Sequence, residues 1–546
     1  MRGYAGTICP VATRVAFAGL IALSVAAAAA PATRVRPAPR LFDLRVSNGS
    51  TPFAGDRPLL TTVSPNGDGF RDRAIVRFRL TVSATVELDV VRTVNVKRGK
   101  NTVQTIVSER HAFSPGRHRL VWTPAGSVPN GSYVLELTVT DAEGRRRIYN
   151  DLPLAGRVRV QAPVVRIQRI DVSVGARYMP GQTAVATVAT DAHRLNVDVL
   201  SYRNGRGSPD PKTGASPIAP PATLSWRGHR NAPGPVRIRI GAWPSGLYFV
   251  RVSAPDGRTG YAPFVVRPSV LGTNRIAVVL PTNTWQAYNF TDANGDGWGD
   301  SWYVNGAFRT VDISRPYLDS GIPYRFGDFD QAIEAWLSGR GNLDFLTDLD
   351  LAHVPSGDLL AHDYDLIVFP GHEEYTTKRE YDLIKRYRDL GGNLMFLSAN
   401  NLFWKVVFHG PVMRRVGEWR NLGRPEASVV GVQYVSSNYG GRLGAYIADT
   451  TGAPWVFAGT GLSNGDTFGQ YGYEIDIRSP ATPPGTVLLA SIPDLMGPGR
   501  TAEMTYYENP AGAKVFAAGA LNFASSVNDP VVARLLDNVW ARLSRP

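Results

Sequence analysis

The sequence predicts a multidomain β plus α/β protein, with one or two β-sandwich modules followed by a doubly wound α/β domain. Three observations lead there. Residues 41–161 and 165–268 alternate apolar and polar side chains in short runs, as half-buried strands do. From Asn274 the apolar runs become continuous and alternate with helical patterns, which marks a parallel sheet covered on both faces. Net charge changes sign at the same place. Residues 31–270 hold 35 Lys and Arg against 16 Asp and Glu, a net of +19, and residues 271–546 hold 22 against 30, a net of −8. A chain of 546 residues has room for several domains. With 43% hydrophobic and 19% charged residues it is not disordered as a whole, and 55 Gly and 40 Pro favour many turns.

Arg2 and Arg14 precede a short apolar run, Val15 to Ala30, that ends in small residues. This describes a secretory signal peptide over residues 1–32, so the protein is expected to be secreted or held in the cell envelope. No transmembrane span is expected after cleavage. Cys9, the one cysteine, precedes the apolar core and leaves with the leader. The mature chain must then rely on packed cores, and on metals where it has them, rather than on disulfides.

In residues 41–161, the runs beginning at Ile75, Val86 and Tyr133 alternate faces, and Asn130-Gly131 and Glu143-Gly144 mark tight turns. Ser64 to Asp72 (SPNGDGFRD) and the stretch LVWTPAGSVPNGSYVLELTVTDAEG resemble the immunoglobulin-like module of flagellar hook-capping and bacterial surface proteins. That resemblance implies a spacer or interaction module. Residues 165–268 form a second β unit, with strands at Val185, Asn196, Val236 and Tyr248 and a Pro/Gly-rich loop from Asn204 to Pro221. In Trp243-Pro-Ser-Gly-Leu-Tyr248 a turn feeds a strand, and the plain reading of its tyrosine is packing.

The α/β domain spans 274–546. Ile276 to Leu280, Leu343 to Leu346, Leu366 to Phe369 and Leu394 to Leu397 read as buried strands. Asp328 to Ser338 and Lys378 to Leu390 read as helices. A closing helix runs to Leu543, with Asp529 as N-cap and Pro530 at its first position. Ligands of such sheets bind at the carboxyl ends of strands. That singles out Pro281 to Tyr288, Thr347-Asp348, Gly371 to Tyr375 and Ser398 to Asn401. His372 and Glu374, two apart, can point into one crevice, and phenol, carboxylate and imidazole suit a Lewis-acidic metal. The plain alternative places Glu373 and Glu374 in the first turn of the next helix, where the macrodipole favours acids.

From about Asp171 onward the chain resembles the large (beta) subunit family of N,N-dimethylformamidase. The stretches that carry this are VVLPTNTWQAYN, DANGDGWGD, LDFLTDLDL, YDLIVFPGHEEY, LGGNLMFLSANNLFWKV, WRNLGRPEASVVGVQY and YGYEID. The resemblance implies a glutamine-amidotransferase-like α/β domain and amide hydrolysis at a mononuclear iron held by two tyrosines and a glutamate. Carried over by position, the ligands are Tyr248, Tyr288 and Glu374, with His372, Asn400 and Glu474 lining the pocket. Iron would polarise the amide carbonyl or activate a water. Glu474 or Glu373 would take the water's proton, and Asn400 or His372 would stabilise the oxyanion. The family enzyme is cytoplasmic with a separate small subunit, whereas this chain is expected outside the cytoplasm and has an extra β module.

Asp292, Asn294, Asp296 and Asp300 place oxygens at alternate positions around glycines, the logic of a calcium loop, although Tyr303 stands where the bidentate Glu would be. Asn66, Asp68 and Asp72 make a shorter version. The alternative in each case is an Asx-rich turn. Trp298, Trp302, Trp404 and Trp419 could stack on sugars, but packing is their ordinary role. There is no G-x-S-x-G elbow around Ser398, no H-E-x-x-H, no P-loop and no G-x-G-x-x-G after a strand.

The first reading is therefore a secreted, iron-dependent, amidase-like hydrolase of a small or N-substituted amide. The alternative is a non-catalytic envelope binding or adhesion protein with structural calcium. The charge of +13 does not indicate nucleic acid, because no recognition motif accompanies it. The basic half instead suits anionic envelope polymers, or the acidic half of its own or another chain, which also leaves room for a homo-oligomer.

Overall fold

The computed structural model describes residues 38–94, 103–150, 161–203, 205–303, 309–318 and 320–545. The expected leader at 1–32, with Cys9, lies outside the described residues. Among the described residues no helix is long and apolar enough to cross a membrane.

The first module is a β-sandwich. Phe42–Ser47, Ala74–Leu80 and Gly116–Trp122 form one antiparallel sheet. The other contains Leu60–Val63, Val164–Ile167, Gly131–Asp141, Ala84–Arg92 and Gln104–Phe113 in that order, with Arg146–Tyr149 added on Gly131–Asp141. Period-2 alternation buries Val86, Leu88 and Val90 against Leu135, Leu137 and Val139. The strand Val164–Ile167 completes this module.

The second module is also a sandwich. Ile170–Ser173, Thr183–Thr190 and Gly234–Arg239 face a sheet built on Thr259–Val266, Gly246–Ser253 and Arg194–Ser201. The strand Gly246–Ser253 is buried on both faces. Tyr248, Val250 and Val252 enter the sandwich core, while Leu247 and Phe249 join the core of the α/β domain.

The α/β domain is built on a nine-stranded sheet whose first half is parallel. Numbered along the chain, its parallel strands are Ile276–Leu280 (first), Asp344–Thr347 (second), Leu366–Phe369 (third), Asn393–Phe396 (fourth) and Lys514–Ala517 (fifth). They lie in the order second, first, third, fourth, fifth. Both faces are covered. Val278, Leu280 and Met395 pack with Gln331–Ser338 and Pro530–Leu543, and Ala277, Val279 and Leu394 pack with Gly357–Asp363 and Lys378–Asp389. The expectation of a fully parallel sheet is corrected, since Ala502–Glu508, Val487–Ile492, Leu443–Ala448 and Thr467–Gly472 extend it with antiparallel pairing. Taken whole, the chain is predominantly β.

The helix signals act as read. Asp529 accepts from the backbone N–H groups of Val531 and Val532, ahead of Pro530. Thr377 and Glu380 form a capping box on Lys378–Asp389. The segment read as one helix from Asp328 is two pieces, Phe326–Phe329 and Gln331–Ser338.

Candidate active site

In a sheet with this order the crevice opens between the first and third strands, whose connections leave toward opposite faces. The first strand runs into a fully buried turn of helix, Thr282–Ala287, which ends at Tyr288. The third strand runs into Gly371 to Tyr375. A Cβ on Gly371 would lie 2.9 Å from Asp330 Oδ1 and from Pro281 Cγ, so only glycine lets this turn close. The Glu374 N–H donates to Thr284 Oγ1 at 3.1 Å, which ties the two connections together.

These two connections bring Tyr288 and Glu374 into contact, with the phenol donating to Glu374 Oε2. His372 Nε2 lies 3.7 Å from Glu374 Oε2 and 3.5 Å from Glu474 Oε2 and has no hydrogen-bond partner. Glu474 comes from the antiparallel side, in Glu474–Ile477, which pairs with Gln433–Ser437. Asn400 Nδ2 donates to Glu474 Oε2 at 2.7 Å. Asn400 is itself fixed by its N–H to Asp476 Oδ1 at 2.8 Å, in a left-handed conformation with φ 56°.

Burial sets the protonation of this cluster. It lowers the His372 imidazole to about 3, so the ring is neutral and its carboxyl contacts are not ion pairs. It raises Glu474 to about 7. Burial, then the charge of Glu474, puts Glu374 well above the ordinary carboxyl range. Burial, then Glu374, does the same to the Tyr288 phenol.

Two expected site residues lie elsewhere. Tyr248 is 1% exposed in the second sandwich core, stacked 5.4 Å from Trp243 and 5.7 Å from Phe264. Its hydroxyl donates to the Pro244 carbonyl at 2.8 Å. Tyr133 bonds Pro129 in the same way in the first sandwich. Both sit in the sequence Pro-x-Gly-x-Tyr and tie a strand to its entering turn, as a tyrosine corner does. That repeat was the readable sign that Tyr248 is structural. Glu373 faces the carboxyls of Asp348 and Glu380 rather than the Glu474 side. Neither Glu373 nor Glu374 is in a helix, because both precede the short strand Tyr375–Thr377.

The calcium-like loops close on themselves. Asp292 accepts from the N–H groups of Gly295, Asp296 and Gly297, and Asp300 from that of Ala293. Asn294 and Asp296 accept from Asp296 and Trp298. Asp72 accepts from Asn66, Gly67 and Gly69, and Asp68 from Phe70. Among the described residues no group of three or more His, Cys, Asp or Glu is spaced to hold a metal. Trp298, Trp302 and Trp419 are buried packing residues.

Sequence reasoning missed the outer wall of the cleft: Tyr303, Tyr324, Arg325, Tyr439 and Tyr473. Tyr303 packs against Tyr288 with the rings tilted by 59°, 4.9 Å between centroids. Arg325, Tyr439 and Tyr473 share with Asn400 and Leu402 a φ of 54° to 63°. Such a conformation costs a large side chain on the order of 1 kcal/mol and gathers at functional sites.

A doubly wound sheet with a buried Tyr–Glu–His–Glu cluster at its switch point defines the class: an α/β protein with a polar cleft shielded from bulk water. The chain belongs to the family described as N,N-dimethylformamidase beta subunit-like, C-terminal, whose model matches residues 233–534. It is 26% identical over 279 residues to the N,N-dimethylformamidase beta subunit of Paracoccus aminophilus, covering 38% of this chain and 36% of that protein. The chain thus spans about a third of that relative's length. Among solved structures, red sea bream transglutaminase (12% identity, 42% of this chain, 31% of that chain, TM-score 0.18) supports no argument. Nor does the Yersinia pseudotuberculosis adhesin InvE (16% identity, 41% of this chain, 58% of that chain, TM-score 0.13).

Proposed function

We propose that this protein hydrolyses the C–N bond of an N-substituted amide in the cleft between Tyr288, Glu374, His372 and Glu474. The observation that carries this reading is the convergence of these four side chains at the switch point of a chain in the N,N-dimethylformamidase beta subunit-like family. The strand order also agrees with a glutamine-amidotransferase-like α/β domain, which is part of the proposal.

The donor set suits iron in part. Tyr288 Oη and Glu374 Oε2 are hard oxygen donors in contact, and His372 Nε2 is a buried nitrogen with no other partner. We assign His372 in the place implied for Tyr248. Bound iron would supply Lewis acidity toward the amide carbonyl. The chain's own residues do the rest. Glu474 Oε2, held by Asn400 Nδ2, takes a proton from the attacking water and returns it to the departing amine. Asn400 orients that carboxylate, and the aromatic wall keeps bulk water out. Export through the leader at 1–32 is part of the reading, and N-terminal sequencing of protein recovered outside the cytoplasm checks it.

The test is amine release from N-methyl and N,N-dimethyl amides by the iron-supplied full chain. Glu474→Gln is expected to lower kcat by about a hundredfold or more with iron retained. An unchanged kcat contradicts the role of Glu474. No amine release from any amide favours the non-catalytic alternative.

For the first sandwich we propose contact with an anionic wall polysaccharide. Its outer sheet face sets Arg45 opposite Arg77, Arg77 opposite Arg119, and Arg79 opposite Arg117. Like charges directly opposite are unfavourable until an anion lies across them. Among the described residues the one carboxylate paired to this ladder is exposed Asp43, 3.4 Å from Arg79. Replacing Arg77 and Arg119 with Ser should move elution from an acidic polysaccharide column to clearly lower salt. Unchanged elution rejects the contact.

A further inference from the structure

We propose that Arg325 forms an anion subsite at the outer end of the cleft, so that the substrate is an amide that also carries a carboxylate. This rests on the reading of the cleft as a hydrolytic site.

The cleft has two unlike ends. At the inner end, the side chains of His372 and Glu474 are 10% and 11% exposed. At the outer end stand Arg325 and Tyr439, the latter 56% exposed at the mouth. Tyr303 lies between them, close enough to feel the charges of both Glu474 and Arg325. A ligand whose carbonyl lies beside Glu474 therefore reaches Arg325 along the face of Tyr303.

Arg325 is a fixed fork rather than a loose surface cation. Its Nε donates to Asp328 Oδ2 at 2.8 Å and its Nη2 to Tyr473 Oη at 2.9 Å. Its guanidinium carbon sits 4.5 Å from the Phe329 ring centroid and 4.4 Å from that of Tyr473. Two bonds leave Nη1 and part of Nη2 as donors, in the planar geometry that a carboxylate matches. Asp328 is 58% exposed, so water screens its charge, while Arg325 is 20% exposed. Independently, Arg325, Tyr439 and Tyr473 all stand in left-handed backbone conformations, so this end of the cleft is held at a conformational cost. A small dialkyl amide has no group for such an end. An N-acyl amino acid has both: its amide carbonyl fits the inner acids, its carboxylate the guanidinium, and its side chain or acyl group the phenol and phenyl walls.

Binding of N-benzoylglycine and of its neutral methyl ester to the full chain, measured by titration calorimetry, tests the subsite without requiring turnover. The acid should bind roughly tenfold or more tighter than the ester. Arg325→Gln should remove that preference, with the loss of affinity falling on the acid far more than on the ester. Asp328→Asn, which removes the competing negative charge beside the guanidinium, should strengthen binding of the acid. Arg325 acting only as a fastener for Tyr473 would weaken both ligands alike. That result, an equal affinity of the native protein for acid and ester, or binding of neither ligand, overturns the proposal. If the preference holds but neither amide is cleaved, the subsite stands and the hydrolase reading fails.

Discussion

Tyr248 and Glu373 show how one position along the chain decides what a side chain can do. On the strand Gly246–Ser253, Leu247 and Phe249 face the α/β domain, so Tyr248 must face the sandwich core. Glu374 turns to Tyr288 while Glu373 turns to Asp348 and Glu380. The corner role predicts that Tyr248→Phe costs about 1 kcal/mol, because it strands the Pro244 carbonyl. A urea midpoint equal to that of the native protein would contradict it. The segments Pro281 to Tyr288 and Gly371 to Tyr375 stood out because each follows a buried apolar run, where α/β sheets place ligands; Tyr288 and Glu374 themselves were singled out as ligands only by the family resemblance. Which of two adjacent glutamates enters the cleft was not legible, because turn geometry sets it. Arg325 and Tyr303 were equally hidden, in irregular segments with no period to read.

The parallel strands are the elements that position the site. Continuous apolar runs gave four of the five away, because a strand buried on both faces has no polar side, while Lys514–Ala517 was not read. The antiparallel half was not recognised, since Leu443–Ala448 and Thr467–Gly472 mix tyrosine, glycine and polar residues without a clear alternation. Yet the chain leaves that half at Gly472 and enters Glu474–Ile477, which pairs with Gln433–Ser437 in a separate two-stranded sheet. Below the first connection, Asp330 stands between the paired helical pieces, with Trp285 Nε1 donating to it at 3.4 Å. Burial raises it from 3.8 to about 7. Between these values the folded state keeps a proton that the unfolded chain has lost, so this group makes stability fall as pH rises from about 4 to 7. Asp330→Asn should flatten that fall and raise stability at pH 8 by on the order of 1–4 kcal/mol. Parallel pH profiles of denaturant midpoint for the two proteins would count against it.

At the scale of the molecule, the sign change in charge becomes a set of contacts. Arg177 and Arg267 of the second sandwich reach Asp350 of the α/β domain at 2.9 and 3.1 Å. Arg57 of the first sandwich donates to the Asn294 and Gly295 carbonyls, and Thr93 to that of Gly297, so the Asp292–Asp300 loop fastens two domains. The Asn66–Asp72 loop does the same toward Arg230 and Asp256. Two arginines of the basic half thus pair with one acid of the acidic half, and the arginine ladder of the first sandwich faces outward. The cleft itself is lined by the α/β domain alone, and the central question is which side chains in it take metal. Iron content and visible absorption of the iron-supplied full chain test this most directly. The account predicts about one iron per chain with tyrosinate-to-iron charge transfer, retained in Tyr248→Phe and lost in Tyr288→Phe. Iron and colour that persist without the Tyr288 hydroxyl, or that vanish without that of Tyr248, would contradict it.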